Sequence, residues 1–200
     1  ARRPGDAVAR MTPAARSGLV GLLARAVGHA DMDLRVDAAL AAARLADPRS
    51  VATLGRLAHS DEKQLRLAGL YGLARLAGGA QSAGAPRAAE VSVSEPLLRA
   101  LLEGPPEVQT LAALGLGQLG EPGPRARAQL LQCLQRAAAK DEPREQQVAL
   151  ACAHALGQLQ AREPAVLDAL LPMLQRGDEQ SLKVAKEQAV QCLTQFGITE

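Results

Sequence analysis

The glycines of Gly115-Leu-Gly-Gln-Leu-Gly120 are spaced as in dinucleotide-binding loops. In such loops the glycines bring a helix N-terminus close to a pyrophosphate, and an acid about 20 residues further on binds the ribose. Asp141 stands 21 residues beyond Gly120, near that place. A nucleotide site also needs a strand before the glycines, however, and here they lie inside a helical pattern of apolar residues. We therefore interpret them as small residues that allow close helix packing, and we expect no cofactor.

Two histidines have the neighbours of a possible metal site. His29 and His59 each stand two residues before an aspartate, and Asp31 and Asp33 would extend the first cluster. Imidazole and carboxylate groups bind zinc, but no second histidine lies at ligand spacing. A histidine at a helix C-terminus also interacts favourably with the helix dipole. We therefore predict that both histidines cap helices, and we expect no metal.

The remaining chemical groups form no recognisable catalytic set. The sequence contains no P-loop, GxSxG or HExxH motif, and its three cysteines (Cys133, Cys152 and Cys192) form no CxxC pair. Cysteines within helical patterns are typical small buried residues of a protein in a reducing compartment. We also interpret the charged residues near the predicted turns as helix caps and links between neighbouring repeats. These residues are Asp31, Asp33, Arg35, Asp61, Glu62 and Arg66. The sequence thus predicts a non-enzymatic, cytoplasmic protein.

The elements that carry these residues follow one repeated pattern of thirteen residues. When Val108 is position one, positions one, five, eight, nine and twelve fall on one helical face. Close variants start at Leu34, Leu65, Val148 and Ala185. The ninth positions are residues 42, 73, 116, 156 and 193, which are 31 to 43 residues apart. Self-similarity with a period of about 20–50 residues indicates a repeat array, in which each helix pair stacks on the next.

The pattern at Leu34 carries a family resemblance. Leu34-Arg35-x-x-Ala38-Ala39-x-Ala41, followed by Leu45 and a small residue, resembles the second helix of a HEAT repeat. The resemblance covers about residues 12–200, and the spacing is similar to the short bacterial repeats of phycobilin-lyase-like proteins. It implies an all-α fold, a right-handed α-solenoid of about five HEAT-like helix pairs. Proteins of this kind serve as scaffolds, adaptors and occasionally enzymes.

Composition agrees with a solenoid. Of the 200 residues, 48% are hydrophobic and 22% are charged, whereas only 1% are aromatic. Such a chain cannot build a large aromatic core, but it can form thin layers of Ala and Leu between closely packed helices. We expect a basic arm or the end of a preceding repeat at residues 1–11, and a single solenoid domain at residues 12–200. The stretch 78–93 is rich in Gly, Ala and Ser and breaks the period, so it is predicted to be an inserted loop.

Turn residues predict where the helices begin. Thr12-Pro13 and Asp47-Pro48 combine a capping side chain with a proline in the first turn. Asp33 is predicted to cap the second helix, and Ser94-Glu95-Pro96 is predicted to restart the helices after the insert. Gly104-Pro105-Pro106 is predicted to turn into the second helix of the third repeat, and Glu121-Pro122-Gly123-Pro124 to end that repeat before a helix at 125–139. Asp141-Glu142-Pro143 is predicted to lead into the next second helix, and Glu163-Pro164 to punctuate the fifth repeat.

A candidate partner-binding face lies opposite the core. Positions three, seven and eleven of each second helix point away from the first helix, and in HEAT-like arrays the second helices line the concave surface. The residues of this face in the first four repeats are Val36, Leu40, Arg44, Leu67, Tyr71, Arg75, Leu114, Gln118, Leu150, His154 and Gln158, with Thr110 at position three of the third repeat. In the fifth repeat the same three positions are polar and would end the apolar stripe; they are Glu187, Gln191 and Gln195.

Exposed apolar patches of more than a few hundred Å² usually have a binding role. We therefore predict a protein or peptide partner in the concave groove, with Tyr71 as the central anchor and Arg44 and Arg75 favouring an acidic flank on the ligand. In the alternative interpretation, strong curvature or other parts of the protein cover the stripe.

Two other functions stay open at this stage. HEAT-like DNA glycosylases bind nucleic acid, but a net charge of +2 and the absence of Trp make a nucleic-acid partner the weaker hypothesis. A lyase-like enzyme of the phycobilin-lyase type is the other alternative, and the missing catalytic motifs argue against it. No apolar run has membrane-spanning length, so we expect no membrane association. The sequence does not indicate an oligomeric state.

Overall fold

The computed structural model describes residues 11–83, 87–120, 123–159, 161 and 164–175. Within these residues the chain forms nine α-helices and one 3₁₀ helix, and no strand. The helices are α1 (Pro13–Ala26), α2 (Met32–Leu45), the 3₁₀ helix (Pro48–Ser50), α3 (Val51–Ala58), α4 (Lys63–Ala83), α5 (Arg87–Glu103), α6 (Pro106–Gly117), α7 (Pro124–Ala138), α8 (Pro143–Gln158) and α9 (Pro164–Gln175).

Helices α1 to α8 form four successive pairs, and α9 is the first helix of a fifth. The predicted second helix of that pair, at 185–196, lies outside the described residues, as do residues 1–10 of the predicted arm. The chain divides into two compact units, Ala1–Leu76 and Ala77–Glu200, with the boundary within α4. The two units are described separately below, and the prediction of one domain over residues 12–200 stays a prediction.

Capping residues and prolines begin the helices largely as predicted. The Thr12 side chain accepts a hydrogen bond from the Ala15 N–H at 3.2 Å, and prolines open α6, α7, α8 and α9. The prediction for α2 was wrong by two residues. Asp31, not Asp33, is the N-cap, because its Oδ1 accepts from the N–H groups of Asp33 at 2.9 Å and Leu34 at 3.2 Å. Asp33 instead lies in the first turn, where a negative charge complements the helix dipole.

The predicted loop at 78–93 is helical wherever the structure describes it. Helix α4 continues to Ala83 and α5 begins at Arg87, while 84–86 lie outside the described residues. The segment contains many alanines, which are the strongest helix formers, and each glycine costs only about 1 kcal/mol relative to Ala. Gly78 and Gly79 therefore lie inside α4 without ending it. The predicted restart at Ser94-Glu95-Pro96 is also wrong, because Pro96 lies inside α5.

In unit 1 the core lies between α2, α3 and the first part of α4. Leu54, Leu65, Leu70 and Leu73 are completely buried. A Cβ atom added at Gly69 would lie 2.5 Å from the backbone nitrogen of Ala58, so α4 packs against α3 at backbone distance. Only glycine allows that approach, which explains why position five of the second repeat is Gly rather than Ala.

In unit 2 the predicted core positions of the third and fourth repeats are all buried. In α6 and the turn after it they are Val108, Ala112, Gly115, Leu116 and Leu119; in α8 and the following residue they are Val148, Cys152, Ala155, Leu156 and Leu159. A Cβ atom at Gly117 would lie 2.8 Å from the Ala155 Cα, so the second helices of successive repeats also pack closely. The thirteen-residue pattern is therefore confirmed in these two repeats.

The first repeat departs from the pattern. Leu34, at position one, is 44% exposed, and Arg35 and Ala41 are partly exposed. The pair formed by α1 and α2 is the first one in the described part of the chain. The described residues therefore include no earlier repeat that could cover the start of α2. Ala38, Ala42 and Leu45 of the same pattern are buried as predicted.

Candidate partner-binding face

Each of the eleven residues predicted to form the partner-binding face is at least partly accessible. Val36, Leu40, Leu67, Leu114 and Leu150 are half-buried, and Arg44, Tyr71, Arg75, Gln118, His154 and Gln158 are exposed. On the same helices the neighbouring core positions are mostly inaccessible; Leu73 and Leu116, for example, are both 0% exposed. The helical period thus separates an inner apolar side from an outer mixed side on α4, α6 and α8.

In unit 1 this face is formed by α2 and α4, which lie next to each other. A Cβ atom at Gly72 of α4 would be 3.0 Å from the Ala43 Cβ of α2. The half-buried aliphatic side chains of the two helices form its floor, and the position-eleven arginines, Arg44 and Arg75, are exposed. Helix α2 and the unit 1 part of α4 thus present an apolar surface together with two cations.

Tyr71 and Arg75 are in contact on the outer side of α4. The ring is 38% exposed, and the guanidinium carbon of Arg75 lies 5.9 Å from its centroid, within the range of a cation–π interaction. Arg75 Nη1 also donates a hydrogen bond to the Tyr71 hydroxyl at 3.4 Å. The four-residue spacing allows both contacts because it places side chains one above the other on a helix. A flat ring and a fixed cation at one place can bind an apolar side chain next to a carboxylate.

In unit 2 the corresponding face of α6 and α8 carries no arginine. Leu114 and Leu150 are half-buried, and Gln118, His154 and Gln158 are exposed. Each of the two glutamines lies over a glycine of the second helix before it. The Gln118 Oε1 would be 3.0 Å from a Cβ atom added at Gly78 of α4. The Gln158 Oε1 would be 2.5 Å from a Cβ atom added at Gly117 of α6. Amide groups both donate and accept hydrogen bonds, so this part of the face suits a neutral polar backbone rather than a charged group.

The other predicted motifs have structural roles. Gly115 and Gly117 are buried inside α6, and Gly120 follows it with a φ of 74°. No strand precedes them in the described part of the chain, so the nucleotide motif is a packing feature, as predicted.

His59 is the C-cap of α3, with Nδ1 2.7 Å from the Gly55 carbonyl oxygen, which confirms its capping role. His29 lies three residues beyond α1, and its Nδ1 accepts from the Asp31 N–H at 3.1 Å. It therefore supports the turn before α2 instead of capping α1.

Sequence patterns did not reveal a buried carboxylate between α1 and α3. Asp47 is 3% exposed, and its Oδ2 lies 2.8 Å from Arg49 Nη2 and 3.0 Å from Arg16 Nε. The hydrogen bond from Arg49, together with the charges of both arginines, holds the pKa of Asp47 below its ordinary value, although burial acts in the opposite direction. Arg16 also donates from Nη2 to the Leu45 carbonyl oxygen at 3.3 Å, so the cluster ties the end of α2 to α1. The 29-residue separation between Arg16 and Leu45 explains why local spacing gave no signal.

Two further features were not predicted. A cleft of about 270 Å³ between α1 and α3 is lined by Ala24, Val27, Gly28, Thr53, Arg56, Leu57 and Ser60. In unit 2, Cys133 and Cys152 are neighbours, and Arg136 lies next to the Cys133 sulfur. The sequence places Arg136 three residues after Cys133, but only the packing of α7 on α8 brings the second cysteine to the same place.

Comparison with known families and structures defines the fold. The family model for HEAT repeats matches residues 94–197, slightly more than half of the chain. The chain belongs to the HEAT repeat family. The match covers α6, α7, α8 and α9 completely, together with the part of α5 from Ser94 onward.

Solved structures support the same fold class over almost the whole chain. An engineered protein aligns with a TM-score of 0.61 at 18% identity, covering 94% of this HEAT repeat chain and 87% of its own. A designed armadillo repeat protein in complex with the peptide (KR)4 aligns with a TM-score of 0.58 at 14% identity, covering 92% and 88%. A second engineered protein gives 0.60 at 17% identity, covering 88% and 80%. These likenesses establish an all-α repeat fold of the solenoid class.

No curated protein matches the chain significantly. In the described residues, no helix combines the length and apolar character that crossing a bilayer requires. The same residues contain no group of three or more His, Cys, Asp or Glu side chains arranged to hold a metal ion.

Proposed function

We propose that this HEAT repeat chain is a non-catalytic scaffold or adaptor that binds a segment of a partner protein on the outer sides of its second helices. The observation that carries the proposal is the exposed Tyr71–Arg75 pair beside the half-buried leucines of α2 and α4. An apolar floor with an aromatic anchor and a cationic edge is a typical protein-binding surface. Repeat folds are commonly used in this way, and we place the protein in the cytoplasm.

The chemistry of the face indicates the composition of the partner. Burial of each leucine side chain would contribute up to about 1.5–3 kcal/mol, less for leucines that are already half-buried. The arginines at positions 44 and 75 favour a carboxylate next to the apolar anchor. The designed armadillo repeat protein is bound to a peptide of alternating Lys and Arg, which supports peptide binding by helix-pair repeats. For this chain the opposite charge is proposed, namely a segment with an acidic flank.

A double substitution tests the face. We expect Tyr71→Ala with Arg75→Glu to abolish capture of partner proteins, because it removes the anchor and reverses the charge. Both residues are exposed, so the free energy of unfolding should change by only about 1 kcal/mol. Partner capture is measured by quantitative mass spectrometry of proteins retained on the immobilised chain, followed by titration of the purified partner segment.

A matched control is available on α1. Leu22 is 56% exposed and Arg25 is also exposed, so Leu22→Ala with Arg25→Glu makes a similar change away from the face. This control should capture the same partners as the wild type. If the Tyr71 and Arg75 variant is folded and still retains each of them, the binding surface lies elsewhere and the proposal fails.

The two alternatives give different results in the same preparations. Binding to duplex DNA that weakens steeply with salt would support a nucleic-acid function. A pigment that co-purifies with the protein would support the lyase-like alternative suggested by the similarity to short bacterial repeats.

A further inference from the structure

Two cysteines lie buried against each other in unit 2. Cys133 on α7 is 4% exposed and Cys152 on α8 is completely buried; both are free thiols, and the two helices pack together. The side chains of Cys133 and Cys152 interact, and each changes the acidity of the other. They come from the two helices of one repeat and are separated by the turn between α7 and α8.

An exposed arginine reaches this pair from the surface. Arg136 lies one turn beyond Cys133 on α7, and its Nη2 is 3.6 Å from the Cys133 Sγ, within hydrogen-bonding distance of sulfur. Glu145 on α8 acts on Cys133 with the opposite sign, but its Oε1 is paired with Lys140 Nζ at 2.7 Å. Among the described charged groups on α5, α7, α8 and α9, Arg136 and Glu145 change the acidity of the Cys133 thiol. Lys140 partly neutralises the negative charge of Glu145.

These contacts give the two thiols different acidities. The hydrogen bond from Cys152 and the charge of Arg136 lower the pKa of Cys133 to about 7, although burial acts to raise it. The hydrogen bond with Cys133 and burial raise the pKa of Cys152 well above its ordinary value. A buried cysteine in apolar surroundings is inert, whereas a thiolate next to an arginine is a nucleophile. The pair thus combines an attacking sulfur with a neutral thiol in contact.

We propose that Cys133 and Cys152 are a redox-active dithiol that a hydroperoxide oxidises to an intramolecular disulfide between α7 and α8. In the first step the Cys133 thiolate attacks the terminal oxygen of the peroxide. The S–O bond forms, the O–O bond breaks, and the alkoxide takes up the proton that Cys133 released, leaving a sulfenic acid and an alcohol. In the second step the Cys152 sulfur attacks the sulfenic sulfur; the S–S bond forms, and the departing hydroxide takes the Cys152 proton and leaves as water.

The electron balance closes with the peroxide as the only oxidant. Two thiols lose two electrons and two hydrogen atoms, and the hydroperoxide becomes one alcohol and one water molecule. A thiol reductant reverses the change through thiol–disulfide exchange. Transient disulfides of this kind are compatible with a reducing compartment, where stable ones are rare. The proposal is independent of the partner-binding face, since none of the face residues takes part.

Peptide mapping of the whole chain tests the disulfide. Wild type and Cys192→Ser, which removes the third cysteine, are treated with hydrogen peroxide and digested without reduction. We expect both to yield one linked pair of peptides containing Cys133 and Cys152. Cys152→Ala should instead accumulate a sulfenic acid at Cys133 that dimedone traps, more slowly than the wild type forms its disulfide, because the substitution also removes the contact that lowers the Cys133 pKa. Cys133→Ala should yield neither product.

Substitution of the exposed arginine tests the mechanism without changing the core. Arg136→Gln should slow alkylation of Cys133 by iodoacetamide at pH 7 by about threefold or more, because a smaller fraction of the thiol is ionised. Arg136→Lys keeps the charge and should retain most of the rate. Circular dichroism checks that each variant is folded. The proposal is overturned if the native chain forms no linked pair, if Cys133 is modified only in denaturant, or if Arg136→Gln reacts as fast as the wild type.

Discussion

At the residue scale, the buried carboxylate of Asp47 forms ion pairs with two arginines in unit 1. Its side chain caps the 3₁₀ helix by accepting from the Arg49 N–H at 3.0 Å, and the same oxygen accepts from Arg49 Nε at 2.9 Å. Because Arg16 contributes a second cation from α1, one aspartate connects a turn, a helix end and the preceding helix. Asparagine is as good an N-cap as aspartate. A substitution of Asp47 by asparagine therefore removes the ion pairs while it keeps the cap.

Asp47→Asn should keep the cap and lose the ion pairs, at a cost of about 1 kcal/mol at neutral pH. The folded-state pKa of Asp47 is lower than its unfolded value, so its stabilisation is present above the unfolded pKa and is lost as the pH falls through the folded one. The difference between wild type and Asp47→Asn, measured by urea unfolding, should therefore shrink below about pH 4. Asp37→Asn, at an exposed position on α2, is the control and should change stability by less than about 0.5 kcal/mol. A gap between wild type and Asp47→Asn that persists at pH 2 would contradict this origin.

At the scale of the elements, glycines have opposite meanings in α1 and α4. A Cβ atom at Gly69 would meet three backbone atoms of α3 at 2.5–2.8 Å, whereas one at Gly21 meets nothing within 4 Å. Backbone atoms cannot move aside as the end of a flexible side chain can. The same residue type is therefore required in one helix and unfavourable in the other.

Gly69→Ala should destabilise the protein by about 1–3 kcal/mol, the usual cost of overpacking. Gly21→Ala should stabilise it by up to about 1 kcal/mol, because alanine is the better helix former and no contact changes. Both effects are measured as shifts of the urea midpoint at constant slope. If Gly69→Ala proves neutral or stabilising, α3 and α4 are further apart than the structure shows.

The elements also show how much of the fold the sequence contains. The apolar period predicted the buried faces of α4, α6 and α8, because each second helix must bury one side against its neighbours. Turns that contain proline predicted approximately where α6 to α9 begin. Composition alone was misleading at 78–93, where alanine outweighed glycine. Local spacing could not reveal contacts such as Arg16 with Asp47 or Cys133 with Cys152, since these depend on which helices pack together.

At the scale of the whole molecule, stability in a repeat protein is approximately a sum of repeat and nearest-neighbour terms. The second helices α4, α6 and α8 each contribute at least one leucine that is no more than 1% exposed. A defect in one repeat should therefore weaken that repeat and its neighbours most. Leu116 is well suited to test this, because it is 0% exposed in α6, and α6 packs against both α5 and α8.

Leu116→Ala should cost about 2–5 kcal/mol, the range for truncation of a buried leucine. Hydrogen exchange should show the largest loss of protection in α5, α6 and α8 and a smaller one in α1 and α2, since the interface terms involve neighbours only. Leu102→Ala removes the same atoms from a leucine of α5 that is 42% exposed, and its cost should be clearly smaller. A loss below about 0.5 kcal/mol for Leu116→Ala would contradict the repeat pattern. An equal loss of protection in every helix would instead show that the array unfolds as one cooperative unit, in which a defect in one repeat destabilises all of them together.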